Sequence, residues 1–206
     1  MTKADINRRW AASYEKAAMA MRQADIDAVC SRCGAEKSGN SLRVRYFHTL
    51  YEIKLPELEF TPPDLSQAQQ ILILHYLTSD MKPDAGSSNP AGDYLSFRNL
   101  PGGMFYDYAY QKNGPHRILA AFGEKPGLLV EAAQKLGGEK AVYGDTAARV
   151  PIFPMFDAIV VLHRGDEEFP PDVNILFRDT ITAFLPLEDV AVLAGYLAGN
   201  LQKALK

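Results

Sequence analysis

The amino-acid sequence predicts a single α+β domain over residues 1–206, with a mixed or mainly antiparallel sheet packed against several helices. Three observations predict it. Leu42, Val44, Tyr46 and then Tyr51, Ile53, Leu55 alternate with polar residues, which is the period of a half-buried hairpin. The β-branched run Ala158 to Leu162, flanked by turn residues, reads as a strand buried on both faces. Apolar stripes of helical period mark the opening, central and closing segments of the chain.

The opening stripe is Trp10, Tyr14, Ala17, Met21 and Ala24, and it predicts one amphipathic helix over residues 5–28. Cys33-Gly34 to Asn40 reads as loop before the hairpin, which turns at His48-Thr49. After Thr61-Pro62-Pro63, Ser66 and Gln69 have capping-box spacing. The run Ile71 to Leu77 that follows has almost no polar face, so this helix belongs in the centre. Met81 to Asp93 concentrates proline, glycine, serine and asparagine and reads as a surface loop or a lid. Leu95 and Phe97 read as a short strand, and Pro101-Gly102-Gly103 turns the chain into Phe105, Tyr106, Tyr108 and Tyr110. Asn113-Gly114-Pro115 breaks it again. Pro126 opens a helix with Leu128, Leu129, Ala132, Ala133 and Leu136 on one stripe, and Gly137-Gly138 closes it. Val173, Ile175 and Phe177 continue the sheet, and Ile181, Ala183 and Leu185 read as a further strand. A last helix runs from about Leu187 to Leu205, with Glu188 and Asp189 complementing its macrodipole at one end and Lys203 and Lys206 at the other. Gly195 and Gly199 lie on one of its faces, which a neighbouring element can approach closely.

Composition narrows the function classes. Hydrophobic residues make up 47% and charged residues 23%, an ordinary globular balance. The net charge of −3 is spread along the chain, so no basic stripe awaits phosphates and nucleic acid is not an expected partner. The longest aliphatic stretches are too short to cross a bilayer, and the polar start lacks the apolar core of a secretion signal. With two cysteines and no disulfide framework, a cytoplasmic location is expected. Phosphate-loop, dinucleotide-binding, zinc-protease and nucleophile-elbow motifs are absent from the sequence.

Several short blocks occur in one order: Leu72 to Leu77, Ser96 to Gly103, Ala121 to Gly123, Leu136 to Gly138, Tyr143 to Ala147, Ile152 to Pro154, Gly165 to Pro170 and Ile175 to Phe177. In these blocks the chain, from about residue 42 to 201, resembles the bacterial and archaeal family of domain of unknown function 3786, found mostly in anaerobes. The resemblance implies an α+β fold and a setting in anaerobic metabolism, and it supplies no catalytic residues or cofactor. Some relatives carry a cysteine-rich iron-sulfur module, for which this chain lacks the cysteines.

The chemical candidates are few. Cys30 and Cys33 have the spacing of half a metal site or of a redox pair, but two further ligands would have to come from His48, His75, His116, His163 or carboxylates. The favoured reading is two ordinary thiols at a helix end. His75, alone in an apolar run, is either a ligand or base facing a pocket or a neutral core histidine. Asp145, with Asp166, Glu167, Glu168 and Asp179, supplies carboxylates that would hold a divalent cation if they converged, and that otherwise make turns. Phe97, Arg98, Asn99, the Gly102-Gly103 turn and Tyr106 are candidates to line a cleft for a planar or anionic ligand, together with Asp145 and His75.

These readings point to an accessory protein that binds a small molecule or a partner protein, with no cofactor named. Two alternatives stay open. One is a metal-dependent enzyme using Asp145 with His75 or His163. The other is a structural subunit whose Gly195 face packs in a homo-oligomer.

Overall fold

The opening segment forms two helices rather than the single one that its apolar stripe predicts: α1 (Lys3–Gln23) and α2 (Ile26–Cys33). Asp25 makes the break. Its backbone is extended, at φ −71° and ψ 109°, and its carboxylate accepts from the amides of Asp27 and Ala28 as an N-cap. The stripe survives, with Ala17 and Met21 buried and Trp10, Tyr14 and Ala24 half-buried. Gly34 ends α2 in the left-handed region, and the expected loop beyond it contains a short strand, β1 (Glu36–Ser38). The computed structural model describes residues 3–79 and 93–205, so all but the last residue of the expected loop from Met81 to Asp93 lies outside the described residues.

β2 (Ser41–Tyr46) and β3 (Thr49–Lys54) form the expected hairpin, but it turns at Phe47-His48 rather than His48-Thr49, which sets Leu42 opposite Ile53 and Val44 opposite Tyr51. With β1 and β4 (Glu59–Thr61) they make a four-stranded antiparallel meander. α3 (Gln67–Leu77) follows, started by the complete Ser66/Gln69 capping box. From Ile71 to Leu77 every side chain is buried except His75.

The second sheet contains β5 (Tyr94–Ser96), β6 (Glu139–Ala141), β7 (Thr146–Phe153), β8 (Phe156–His163) and β9 (Asp172–Arg178). Its order is β5-β9-β8-β7-β6 and every pairing is antiparallel, which resolves the mixed-or-antiparallel alternative. β8 is central. Ala158, Val160 and Leu162 enter the main core, while Ile159 and Val161 join Ala147 in a smaller cluster, so the strand is buried on both faces. Helices α4 (Asp107–Asn113), α5 (Pro115–Phe122) and α6 (Gly127–Lys135) lie between β5 and β6 in the chain. α5 packs on β9 and α6 on β7.

One expected strand is shortened and another is replaced. Phe97 begins a 3-10 turn instead of extending β5. Ile181–Phe184 is a single helical turn, α7, instead of a strand. A helical turn places Ile181 and Phe184 on one side, where both are buried, whereas the alternation of a strand would separate them.

The chain closes on α8 (Leu187–Ala204), which packs on α4, α5 and α6. A Cβ at Gly195 would lie 3.4 Å from the Cβ of Asn113, so α4 is a neighbouring element that approaches this face closely. The two sheets meet where the Phe47 amide donates to the Ile152 carbonyl at 2.7 Å. Tyr76 of α3 stacks on Phe153 at 4.1 Å between ring centroids.

Candidate functional site

The burial pattern of α3 leaves one side chain to explain, His75. It faces the first turn of α8, where its Nδ1 lies 2.5 Å from Oδ2 of Asp189. The two side chains are 27% and 15% exposed, so the pair is mostly withdrawn from water without being sealed. A carboxylate can only accept, so Nδ1–H donates to it, which in the neutral form of an imidazole leaves the lone pair on Nε2. Beside this pair the Tyr106 hydroxyl donates to Oε1 of Glu188. That bond to a carboxylate holds the Tyr106 phenol above its ordinary value.

The four residues line one cavity of about 510 Å³. Its walls come from four helices: Trp10 and Ser13 of α1, Ile71 of α3, Ala109 and Asn113 of α4, and Ala191 and Val192 of α8. The apolar walls and the few convergent polar groups are the ordinary make-up of a small-molecule site. Among the described residues the lining includes two carboxylates, an imidazole, a phenol and an indole, and no lysine or arginine. His75 and Pro186 also line a second cavity of about 380 Å³, with Lys16, Thr78 and Thr182, so the imidazole stands between two chambers.

Of the residues singled out in the sequence, His75 and Tyr106 share this cavity, and the others are placed elsewhere. Phe97 is fully buried and stacks on Tyr110 at 4.2 Å. The Tyr110 hydroxyl donates to the Ile175 carbonyl and accepts from the Ile175 amide, so burial finds its hydroxyl two backbone partners. Gly102 sits at φ +82°, and a Cβ on Gly103 would fall 2.0 Å from the Phe97 carbonyl oxygen. The turn therefore needs its glycines to close on the chain itself. Arg98 and Asn99 are exposed beside it.

Asp145 is exposed and accepts from the Arg164 amide at 2.8 Å, which ties the entry of β7 to the exit of β8. Asp166 accepts from the amides of Glu168 and Phe169, making the β8–β9 turn, and these bonds hold its carboxyl below the ordinary carboxylate range. Cys33 is buried and its thiol donates to the Tyr76 carbonyl at 3.3 Å, while burial pushes both Cys30 and Cys33 up from the ordinary thiol value. Burial therefore works against the thiolate form at both positions. Among the described residues no three His, Cys, Asp or Glu side chains cluster as a metal site.

A second polar cluster lies on the face of the second sheet that carries Ile159 and Val161. Asp157 accepts from Tyr94 at 2.5 Å, Arg178 at 3.0 Å and Arg149 at 3.3 Å, and the Arg178 guanidinium lies 4.7 Å from the Tyr94 ring centroid. This carboxylate is saturated by its own sheet, an arrangement suited to holding strands together.

Sequence reasoning missed Asp189, Glu188 and Trp10 as site residues. Glu188 and Asp189 are noticeable as dipole partners of α8, and nothing in their spacing points to His75, 114 residues away. A family model described as Domain of unknown function (DUF3786) matches residues 25–200. No curated protein and no solved structure matches the chain.

Proposed function

The chain belongs to the DUF3786 family of domains of unknown function, and we propose that it is a small-ligand-binding accessory protein whose ligand occupies the cavity between α1, α3, α4 and α8. The observation behind this reading is the His75–Asp189 pair, held at 2.5 Å in the wall of a 510 Å³ cavity. A carboxylate mostly withdrawn from water is costly unless it is paired, and this one is paired where an open cavity gives a ligand access to it. The cytoplasm of an anaerobe is the setting that the family resemblance favours.

A second reading has one observation in its favour. An imidazole oriented through Nδ1 by a carboxylate, with Nε2 free to take a proton, is the usual arrangement of a general base. In this reading the enzyme draws on His75 and Asp189, in place of the Asp145 pairing expected from sequence.

Thermal-shift screening with small amines, nucleotides, acyl compounds and corrinoids tests the binding reading, using Ala109→Trp to fill the cavity and Arg98→Ala as a surface control. A ligand at about 100 times its Kd stabilises by roughly 2.7 kcal/mol, which for a chain of this size raises Tm by about 5–10 °C. Wild type and Arg98→Ala are expected to shift and Ala109→Trp is not. Equal shifts in all three proteins, or no shift with any compound, would remove the reading.

A further inference from the structure

Resting on the cavity reading above, we infer that the ligand is a small organic cation, a protonated amine carried on an apolar body, whose ammonium is held by Glu188 and Asp189. The charge of the lining carries the argument. Among the described residues Glu188 and Asp189 are its only side chains of fixed charge, and Lys16 of α1 lines the neighbouring chamber instead.

Each carboxylate has one oxygen engaged, Oε1 of Glu188 by the Tyr106 hydroxyl and Oδ2 of Asp189 by His75 Nδ1. Among the described residues the other oxygen of each accepts no hydrogen bond. An ionised carboxylate can accept about four, so both retain most of their capacity. Asp189 is 15% exposed at its side chain, and a carboxylate so withdrawn gains more from an added cation than one in open water. A ligand anion would meet two like charges there, with no guanidinium or ammonium among the described residues of the lining to offset them.

The rest of the lining suits the other parts of such a ligand. Trp10 has a half-buried indole, the best of the aromatic faces for a cation. Ile71, Ala191 and Val192 offer an apolar floor and no hydrogen-bonding side chain. An ammonium with N–H donors fits the unbonded carboxylate oxygens better than a quaternary ammonium does, since the latter can use only charge and the indole face.

The test is isothermal titration of the full chain with phenethylamine, phenethyl alcohol and phenylacetate, three probes of similar shape and different charge, at pH 7.5. The amine is expected to bind at least tenfold tighter than the alcohol, and phenylacetate weakest. Glu188→Gln should weaken the amine several-fold and leave the alcohol unchanged, and Asp189→Asn should do the same provided its Tm matches wild type. If alcohol or phenylacetate binds as tightly as the amine and Ala109→Trp abolishes that binding, the cavity reading stands and the cation inference is overturned. An amine preference that survives both Glu188→Gln and Asp189→Asn also overturns it. If no probe binds and the screen with Ala109→Trp is equally silent, both readings fall together.

Discussion

At the scale of single residues, the polar groups of this protein divide by whether their partners use up their bonding capacity. Asp157 is used up, because Tyr94, Arg149 and Arg178 all donate to it. Asp189 is not, because among the described residues His75 alone reaches it. The saturated cluster makes a stability prediction with a definite sign. Burial first, and the bond to Asp157 second, push the Tyr94 phenol up to about 12 from 10.0. The folded chain therefore keeps this proton over a pH range in which the unfolded chain has lost it. The contribution of Tyr94 is full below about pH 10 and is lost as pH rises from there through about 12. Urea unfolding of wild type at pH 9 and pH 11.5 should show a fall in the midpoint, and Tyr94→Phe should show a smaller fall. Tyr51, also raised to about 12 by burial and by Asp64, keeps the loss from vanishing in that variant. Identical losses in wild type and Tyr94→Phe would mean that the phenol is not held as the structure shows it.

At the scale of elements, glycines decide how closely α8 and its neighbours approach, and they do so unequally. Gly114 joins α4 to α5, and a Cβ there would sit 2.8 Å from the Ala194 Cβ and 3.3 Å from Ile175 Cδ1. Neither neighbour is the loose end of a long side chain, so Gly114→Ala should cost roughly 1–3 kcal/mol in chemical denaturation. At Gly195 the nearest atom is at 3.4 Å, an ordinary contact, and alanine is the better helix former by about 1 kcal/mol. Gly195→Ala should therefore be neutral or mildly stabilising, and a loss as large as that of Gly114→Ala would contradict the packing described here. The same local chemistry explains which elements could be read in the sequence. The hairpin, α3, α6, β8 and α8 have clean periods and recognisable caps or turns, so their residues announce them. The break at Asp25 was obscured because the apolar stripe runs on past Ala17 and Met21 while one N-cap carboxylate ends α1. β7 was hidden by Arg149 and Pro151 inside it, and by a register shift between Pro151 and Phe153. At the site, His75 stood out as the single polar residue in an apolar helix, but its partner is set by how α3 meets α8. That meeting is a tertiary fact, and no local pattern records it.

At the scale of the molecule, one continuous set of buried side chains runs from Ala17 in α1 to Leu201 in α8 and takes in both sheets. Tyr76 shows how tightly it is joined. Its ring stacks between Phe153 and Phe184, and its hydroxyl donates to the Cys33 carbonyl at 2.6 Å and accepts from the Met155 amide at 3.3 Å. One side chain thus ties α2, α3, α7 and the β7–β8 turn together. α1 packs on α3, and among its described residues the buried ones are Ala17, Ala18 and Met21. This matters for function, since α1 supplies Trp10 and Ser13 to one wall of the cavity. A core without a seam should unfold as a unit, with α1 leaving when the rest does. Trp10 is the only tryptophan, so its fluorescence reports α1 alone, while far-UV circular dichroism reports the whole chain. The two urea transitions are expected to coincide in wild type, and an amine that occupies the cavity should move both midpoints by the same amount. A fluorescence transition that comes first would mean that α1 undocks by itself. The cavity would then lack its Trp10 wall in part of the population, and ligand affinity would be reduced by that fraction.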